Sequence, residues 1–107
     1  MIYNRLSNYA TTVFKEDGWY KVIYHSTCIV KWNEKHIILD NGGYKTATTK
    51  KKMNQAANQF DLGFQVYREN SDWFVDITSN NMFTCGTVDF RSNMIINRKT
   101  NEVTYPE

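Results

Sequence analysis

With 107 residues the chain has room for one core, so a single domain over residues 1–107 is expected. Aromatic residues make up 15% of it, leucine occurs only at Leu6, Leu39 and Leu62, and β-branched residues are abundant. That composition excludes a leucine-filled helix bundle and favours sheet. The formal net charge of +2 by itself names no partner, and no apolar run approaches the roughly 18 residues of a membrane span.

The opening segment MIYNRLSNYATTVF lacks the apolar centre of a signal peptide, which places the expected site of action in a cytoplasm. Cys28 and Cys85 stand apart without a CxxC pair. In a reducing compartment they read as small hydrophobes and not as a disulfide.

Alternation predicts strands over Ala10–Lys15 and Trp19–Tyr24, flanking Glu16-Asp17-Gly18. The Asp-Gly pair supplies the positive φ of a tight hairpin. After His25-Ser26 a third strand carries Cys28, Val30 and Trp32 on one side, and Asn33-Glu34 turns the chain into a fourth, His36–Asp40. Asn41-Gly42-Gly43 breaks the period. Met53, Ala56, Ala57 and Phe60 then recur at i, i+3, i+4 and i+7, predicting one amphipathic helix over about 49–61. Thr48 or Thr49 is its expected N-cap and Gly63 its left-handed terminator. Strands are expected again at Phe64–Arg68 and Trp73–Ile77 around a turn at Glu69–Asp72, and more weakly at Val88–Phe90 and Met94–Ile96. A frayed tail is expected from Lys99. The predicted fold is α+β: an antiparallel meander of about six to eight strands with one helix packed on it.

Catalytic signatures are missing. His25 and His36 lack HxH or HExxH spacing, so no metal or other cofactor is expected. There is no GxSxG, and Gly42-Gly43 with Lys50 does not make a phosphate-binding P-loop. No carboxylate pair stands out, and the expectation is a protein that is not an enzyme.

Charge is concentrated in one place. Between Asn41 and Phe60 lie Lys45, Lys50, Lys51 and Lys52 and no acid, so this window is +4 and the rest of the chain −2. A helix start presents unpaired N–H groups and the positive end of the helix dipole, which attract phosphate. Cations there are unfavourable by about 0.3–1 kcal/mol each, and a bound anion would relieve the conflict. Around these lysines lie Thr46, Thr48 and Thr49 as hydroxyl donors, and Asn54, Gln55 and Asn58 as amides. Tyr44 offers a stacking ring beside the flexible Gly42-Gly43. Donors for phosphate, amides for a base edge and a ring for its face are what a nucleotide requires. Tyr24 and His25, in the turn Tyr24-His25-Ser26-Thr27, join this set if sheet curvature brings them to the helix start.

The segments Tyr24-His25-Ser26-Thr27-Cys28-Ile29-Val30, Gly42 to Gln55 (GGYKTATTKKKMNQ) and Phe60-Asp61-Leu62-Gly63-Phe64 resemble those of a widespread family of small tailed-phage proteins. The resemblance covers roughly Gly18 to Asp76. Tyr44 stands where that family often has Trp, and Lys52 where Arg is common; Lys52 keeps the charge but not the bidentate phosphate geometry of Arg. The resemblance implies action inside a bacterial host against its defences, where small phage proteins sequester signalling nucleotides. The resulting expectation is a homo-oligomeric, non-catalytic protein that captures a small anionic nucleotide ligand, with no membrane involvement. The alternatives are a nucleic-acid-binding protein using the same lysines, or an inhibitor that docks on a host protein.

Overall fold

The computed structural model describes residues 11–43, 46–78 and 84–106. Strand β1 (Thr11–Glu16) and strand β2 (Trp19–Tyr24) pair antiparallel across Asp17-Gly18, both with positive φ (+53° and +83°). That turn twists in the sense the strands require. The two-residue turn His25-Ser26 leads to β3 (Thr27–Trp32), and Asn33 leads to β4 (His36–Leu39). Asn33 Oδ1 accepts from the N–H groups of both Lys35 and His36 at 2.8 Å, a side chain standing in for a backbone turn.

The helix α1 (Ala47–Gln59) begins two residues before the expected start. Thr46, not Thr48 or Thr49, is the N-cap: its Oγ1 accepts from the Thr49 N–H at 3.2 Å and is hydrogen-bonded to the Thr49 hydroxyl at 2.9 Å. Thr49 is thereby buried inside the first turn. At the other end Asp61 (φ +54°), not Gly63, takes the left-handed position. The Leu62 N–H reaches the Ala57 carbonyl at 2.9 Å, and Leu62 is buried, as in a Schellman cap. Gly63 (φ +75°) instead turns the chain into β5 (Phe64–Glu69).

Asn70-Ser71, both at positive φ, join β5 to β6 (Asp72–Thr78), which pairs with β7 (Thr84–Asp89). The expected antiparallel sheet with a helix on it is present, but among the described residues its strands number nine and divide into two sheets. One has the order β1-β2-β3-β4-β8-β9, where β8 is Met94–Asn97 and β9 is Val103–Thr104, and the other β5-β6-β7. The division arises after β7. There the Phe90 N–H donates to the Trp73 carbonyl, and Asn93 (φ +67°) donates its N–H to the Leu39 carbonyl at 2.7 Å. The chain is thus handed back to β4, where β8 (Met94–Asn97) pairs in register Leu39↔Met94 and Ile37↔Ile96. The stretch beyond Lys99, expected to fray, adds β9 (Val103–Thr104) to β8, and the Tyr105 hydroxyl donates to the Asp89 carbonyl at 2.6 Å.

The alternation read from the sequence survives as burial. Ile37 and Leu39, Met94 and Ile96, Phe64 and Val66, and Trp73, Val75 and Ile77 all point into one core, closed by Met53, Ala56 and Ala57 of α1. An aromatic stack runs from Tyr20 through Trp32 to Phe60, with centroids 5.5 and 4.8 Å apart, and ties the helix end to the larger sheet. Such pairs contribute about 0.5–1.5 kcal/mol beyond the area they bury. The same helix is fixed to the smaller sheet by Asn54. Its Nδ2 donates to the Val66 carbonyl at 2.8 Å and its Oδ1 accepts from the Val66 N–H at 2.7 Å. Strand β5 is an edge strand, and one side-chain amide satisfies both of its outward backbone groups at this position. The helix is therefore held to both sheets.

Candidate functional site

Three local features bring the β2–β3 turn to the start of α1. The first is a β-bulge. Val22 pairs with Val30 and Ile23 with Cys28, which leaves Ile29 without a partner in the ladder, and it turns inward to be almost fully buried. Bulges of this kind re-aim a side chain beside a site. The second is the tie between that bulge and the loop after β4, the Asp40 N–H donating to the Ile29 carbonyl at 3.0 Å. The third is the loop itself. Asp40 Oδ1 accepts from the Gly42 N–H at 2.8 Å, and Asn41 Oδ1 accepts from the Gly43 N–H at 2.9 Å and from the Ser92 hydroxyl at 3.0 Å.

Gly42 is needed here for two reasons. Its φ is +63°, and a Cβ at this position would lie 2.9 Å from Thr27 Oγ1 and 3.0 Å from Thr27 Cγ2. The loop therefore seats directly on the first residue of β3, with Asn41 buried beneath it.

These features enclose a basin of about 430 Å³, within the range of about 300–1,000 Å³ usual for small-ligand sites. Tyr24, His25, Ser26 and Thr27 form one wall. Thr46 and Thr49 of the helix start form another, and Ile29 and Asn41 complete the lining. His25 stands at φ +57° with its ring 4.4 Å from that of Tyr24. The basin is thus mixed: one apolar floor residue, two aromatic rings, and hydroxyl and amide groups.

Lys52 lies behind the Tyr24 wall. Its side chain is buried, 3% exposed, with Nζ 5.2 Å from the centre of the Tyr24 ring. Burial, and after it the neighbouring Lys51 charge, lower its pKa from the usual lysine value. Lys52, named from the sequence as one of the lysines at the helix start, is therefore not on its solvent-facing side. Residues 49, 52, 53 and 56 fall on the inward stripe of the helix once it starts at Ala47, and a lysine at the second of these positions must lie under the sheet.

Of the residues named from the sequence, Tyr24, His25, Thr46 and Thr49 meet around the basin, and Lys52 backs it. Lys50 lines a second concavity of about 360 Å³ on the other side of Thr46, with Ala47, Arg68 and Trp73. Thr48 and Lys51 are exposed on the first two turns, and Gly42 and Gly43 shape the loop. Asn54 does not meet the group: its amide is occupied by β5. Gln55 is buried in the helix interior face. Asn58 is exposed eleven residues along α1 from Ala47, roughly 16 Å up the axis, and is remote from the basin. Tyr44 and Lys45 lie outside the described residues.

Sequence reasoning missed Ser26, Thr27, Ile29, Asn41, Arg68 and Trp73. Thr27 and Asn41 adjoin named residues, and the contact between Gly42 and Thr27 is what joins them. Ile29 reaches the basin only through a register shift, and Arg68 and Trp73 only through the fold.

Among the described residues, no three His, Cys, Asp or Glu side chains come together. Burial raises the Cys28 thiol above its usual pKa, and its Sγ donates to the Val30 carbonyl at 3.6 Å. No described helix is long and apolar enough to cross a membrane.

No curated protein and no solved structure matches the chain significantly. The family model of the Kyanoviridae Gp96 protein matches residues 3–97, well beyond the Gly18 to Asp76 stretch that carried the resemblance, and includes both strands and helix around the basin. The chain belongs to this phage family, the Kyanoviridae Gp96 proteins.

Proposed function

We propose that the protein is a non-catalytic binder that captures a phosphate-bearing nucleotide in the basin at the start of α1, and that in the infected host it thereby sequesters a signalling nucleotide. One observation carries the reading. Residues that the sequence offered separately, the Tyr24-His25 turn and the threonines of the helix start, line one concavity of ligand size with a buried cation behind it.

Chemistry supports the match. The N–H groups of the first helical turn and the hydroxyls of Thr27, Thr46 and Thr49 suit phosphate oxygens. The Tyr24 and His25 rings offer a face for a base. Asn41 and Ser26 supply edge donors and acceptors. The Lys52 charge makes the Tyr24 wall electropositive without projecting into the basin, so it attracts an anion without forming a salt bridge to it.

Hydrolysis or group transfer would require a tuned base or nucleophile against the phosphate. Among the described residues of the basin lining, His25 is the one titratable side chain other than tyrosine, and no acid or thiol accompanies it. Capture therefore fits the lining better than turnover. His25 and Ser26 are exposed at the rim, so the basin opens to solvent. Closure by a second copy of the chain is part of the proposal, since tight capture requires enclosure.

The test is a depletion assay with a panel of mononucleotides, linear dinucleotides and cyclic dinucleotides. Each is incubated with excess protein, and the filtrate and the heat-released material are analysed. The expected result is that at least one compound leaves the filtrate and returns chemically intact, and that Tyr24→Ala abolishes the depletion. A cleaved product that disappears with His25→Ala would replace capture by catalysis. A panel left wholly in the filtrate would remove the reading.

A further inference from the structure

The first turn of α1 separates two concavities that share Thr46. The basin lies on one side. On the other, the cavity of about 360 Å³ is lined by Lys50 of α1 and Arg68 of β5, with Trp73 of β6 and the Ala47 backbone. Among the described residues of its lining the two charged side chains are both cations, they come from different elements, and none is an acid. Among the described residues neither Lys50 nor Arg68 makes an ion pair; the one pair present, Lys21 with Glu16 at 2.9 Å, lies on the β1–β2 hairpin. Two like charges held around one hollow repel each other, and Glu69 and Asp72, the next pair along the β5–β6 hairpin, are not among its lining residues. Trp73, 4% exposed, supplies a rigid apolar base. An arginine presents a planar fork that takes two phosphate oxygens at once, while a lysine acts as a point charge.

We infer that this second cavity is a phosphate subsite, with Arg68 as its principal ligand and Lys50 as its partner. Because Thr46 belongs to both linings, the ligand class follows: a nucleotide whose base rests against Tyr24 and His25 and whose phosphate passes over the helix cap to Arg68. That extension to one spanning ligand rests on the reading of the basin above; the phosphate subsite does not.

The geometry also separates the roles of the lysines. Lys50 touches the phosphate, Lys52 raises the potential from beneath Tyr24, and Lys51, exposed on the outer side, touches neither cavity. Charge removal at Lys50 or Arg68 should thus weaken phosphate binding, and at Lys51 should change it little.

The experiment is a ¹H–¹⁵N NMR titration of the full chain with three probes: inorganic phosphate, adenosine and adenosine monophosphate. Phosphate is expected to move the Ala47 and Thr48 amides and the Arg68 Nε–H signal. Adenosine should move the amides of Tyr24 to Thr27. The monophosphate should move both sets and bind at least tenfold tighter than either part. Arg68→Gln should weaken phosphate at least fivefold and leave adenosine unchanged; Lys50→Gln should do the same more mildly, and Lys51→Gln should have no effect. Phosphate shifts that persist in both Arg68→Gln and Lys50→Gln would overturn the subsite. Shifts at Arg68 with none from adenosine would uphold the subsite and remove the basin reading. Two sets of shifts without a gain in affinity for the monophosphate would show that no single ligand spans them.

Discussion

The two halves of α1 obey different rules. From Met53 onward the local choices, the buried Gln55 apart, agree with the fold: Met53, Ala56 and Ala57 are buried, Asn54 satisfies the edge of β5, and Asp61 and Leu62 close the helix with a left-handed cap. From Ala47 to Lys52 the choices conflict with stability. No acid occupies the first turn, three lysines follow one another, and one of them is buried with its pKa lowered. Sequences that break local rules do so most often where a site requires it. On the proposed reading the first half of the helix serves an anion, and the second half serves the core.

That contrast can be broken by substitution, with stability and affinity for adenosine monophosphate measured together. The largest loss of stability is expected at Asn54. Asn54→Ala strips the N–H and carbonyl of the buried Val66, on an edge strand, of their partners and should cost about 2–4 kcal/mol in denaturant unfolding. Affinity in the fraction that remains folded should be unchanged. A loss of affinity larger than the loss of stability would place Asn54 in the site after all.

Gly42→Ala comes next. It forces a Cβ onto a left-handed residue and into the Thr27 side chain, and should cost roughly 1–3 kcal/mol. Because the collision is with a basin wall, affinity should fall as well, and Thr27→Ala in the same chain should recover part of both. Thr46→Ala removes the cap and should cost about 1 kcal/mol, with Thr46→Ser restoring it.

Lys52→Met is expected to act in the opposite direction. Removing a buried charge while keeping an apolar stem should leave stability unchanged or raise it by up to about 1 kcal/mol, while affinity for the monophosphate falls. The sign can be checked with pH. A lysine whose folded pKa lies below its unfolded value holds fewer protons when folded, so the penalty it imposes is complete below the folded pKa and fades as pH rises towards the unfolded one. The stability advantage of Lys52→Met should therefore shrink above neutral pH towards the usual lysine range. An advantage that grows with pH would mean that the buried ammonium stabilises the fold.

Much of this architecture is written locally. Asp17-Gly18, Asn33 and the i, i+3, i+4, i+7 spacing of Met53 to Phe60 each act within a few residues, and the hairpins and helix expected from them are present. The expected caps lie two or three residues from the observed ones, because Thr46, Thr48 and Thr49 have the same chemistry and only packing chooses Thr46. The pairing of β4 with β8 joins residues more than fifty apart, and no turn signal announces it. For the same reason the basin was half legible. Its polar parts were visible as residue types, but the bulge at Ile29, the burial of Lys52 and the presence of Arg68 beside Lys50 follow from register and sheet packing.

Native mass spectrometry of the protein isolated from phage-infected cells addresses the binding claim most directly, because it weighs the chain, its assembly and any retained small molecule at once. The wild-type protein is predicted to carry an adduct of nucleotide mass, lost in Tyr24→Ala and reduced in Arg68→Gln, with both variants folded. A wild-type protein that is folded and carries no adduct, or an adduct that survives both substitutions, would contradict the assignment of the helix start as a nucleotide site.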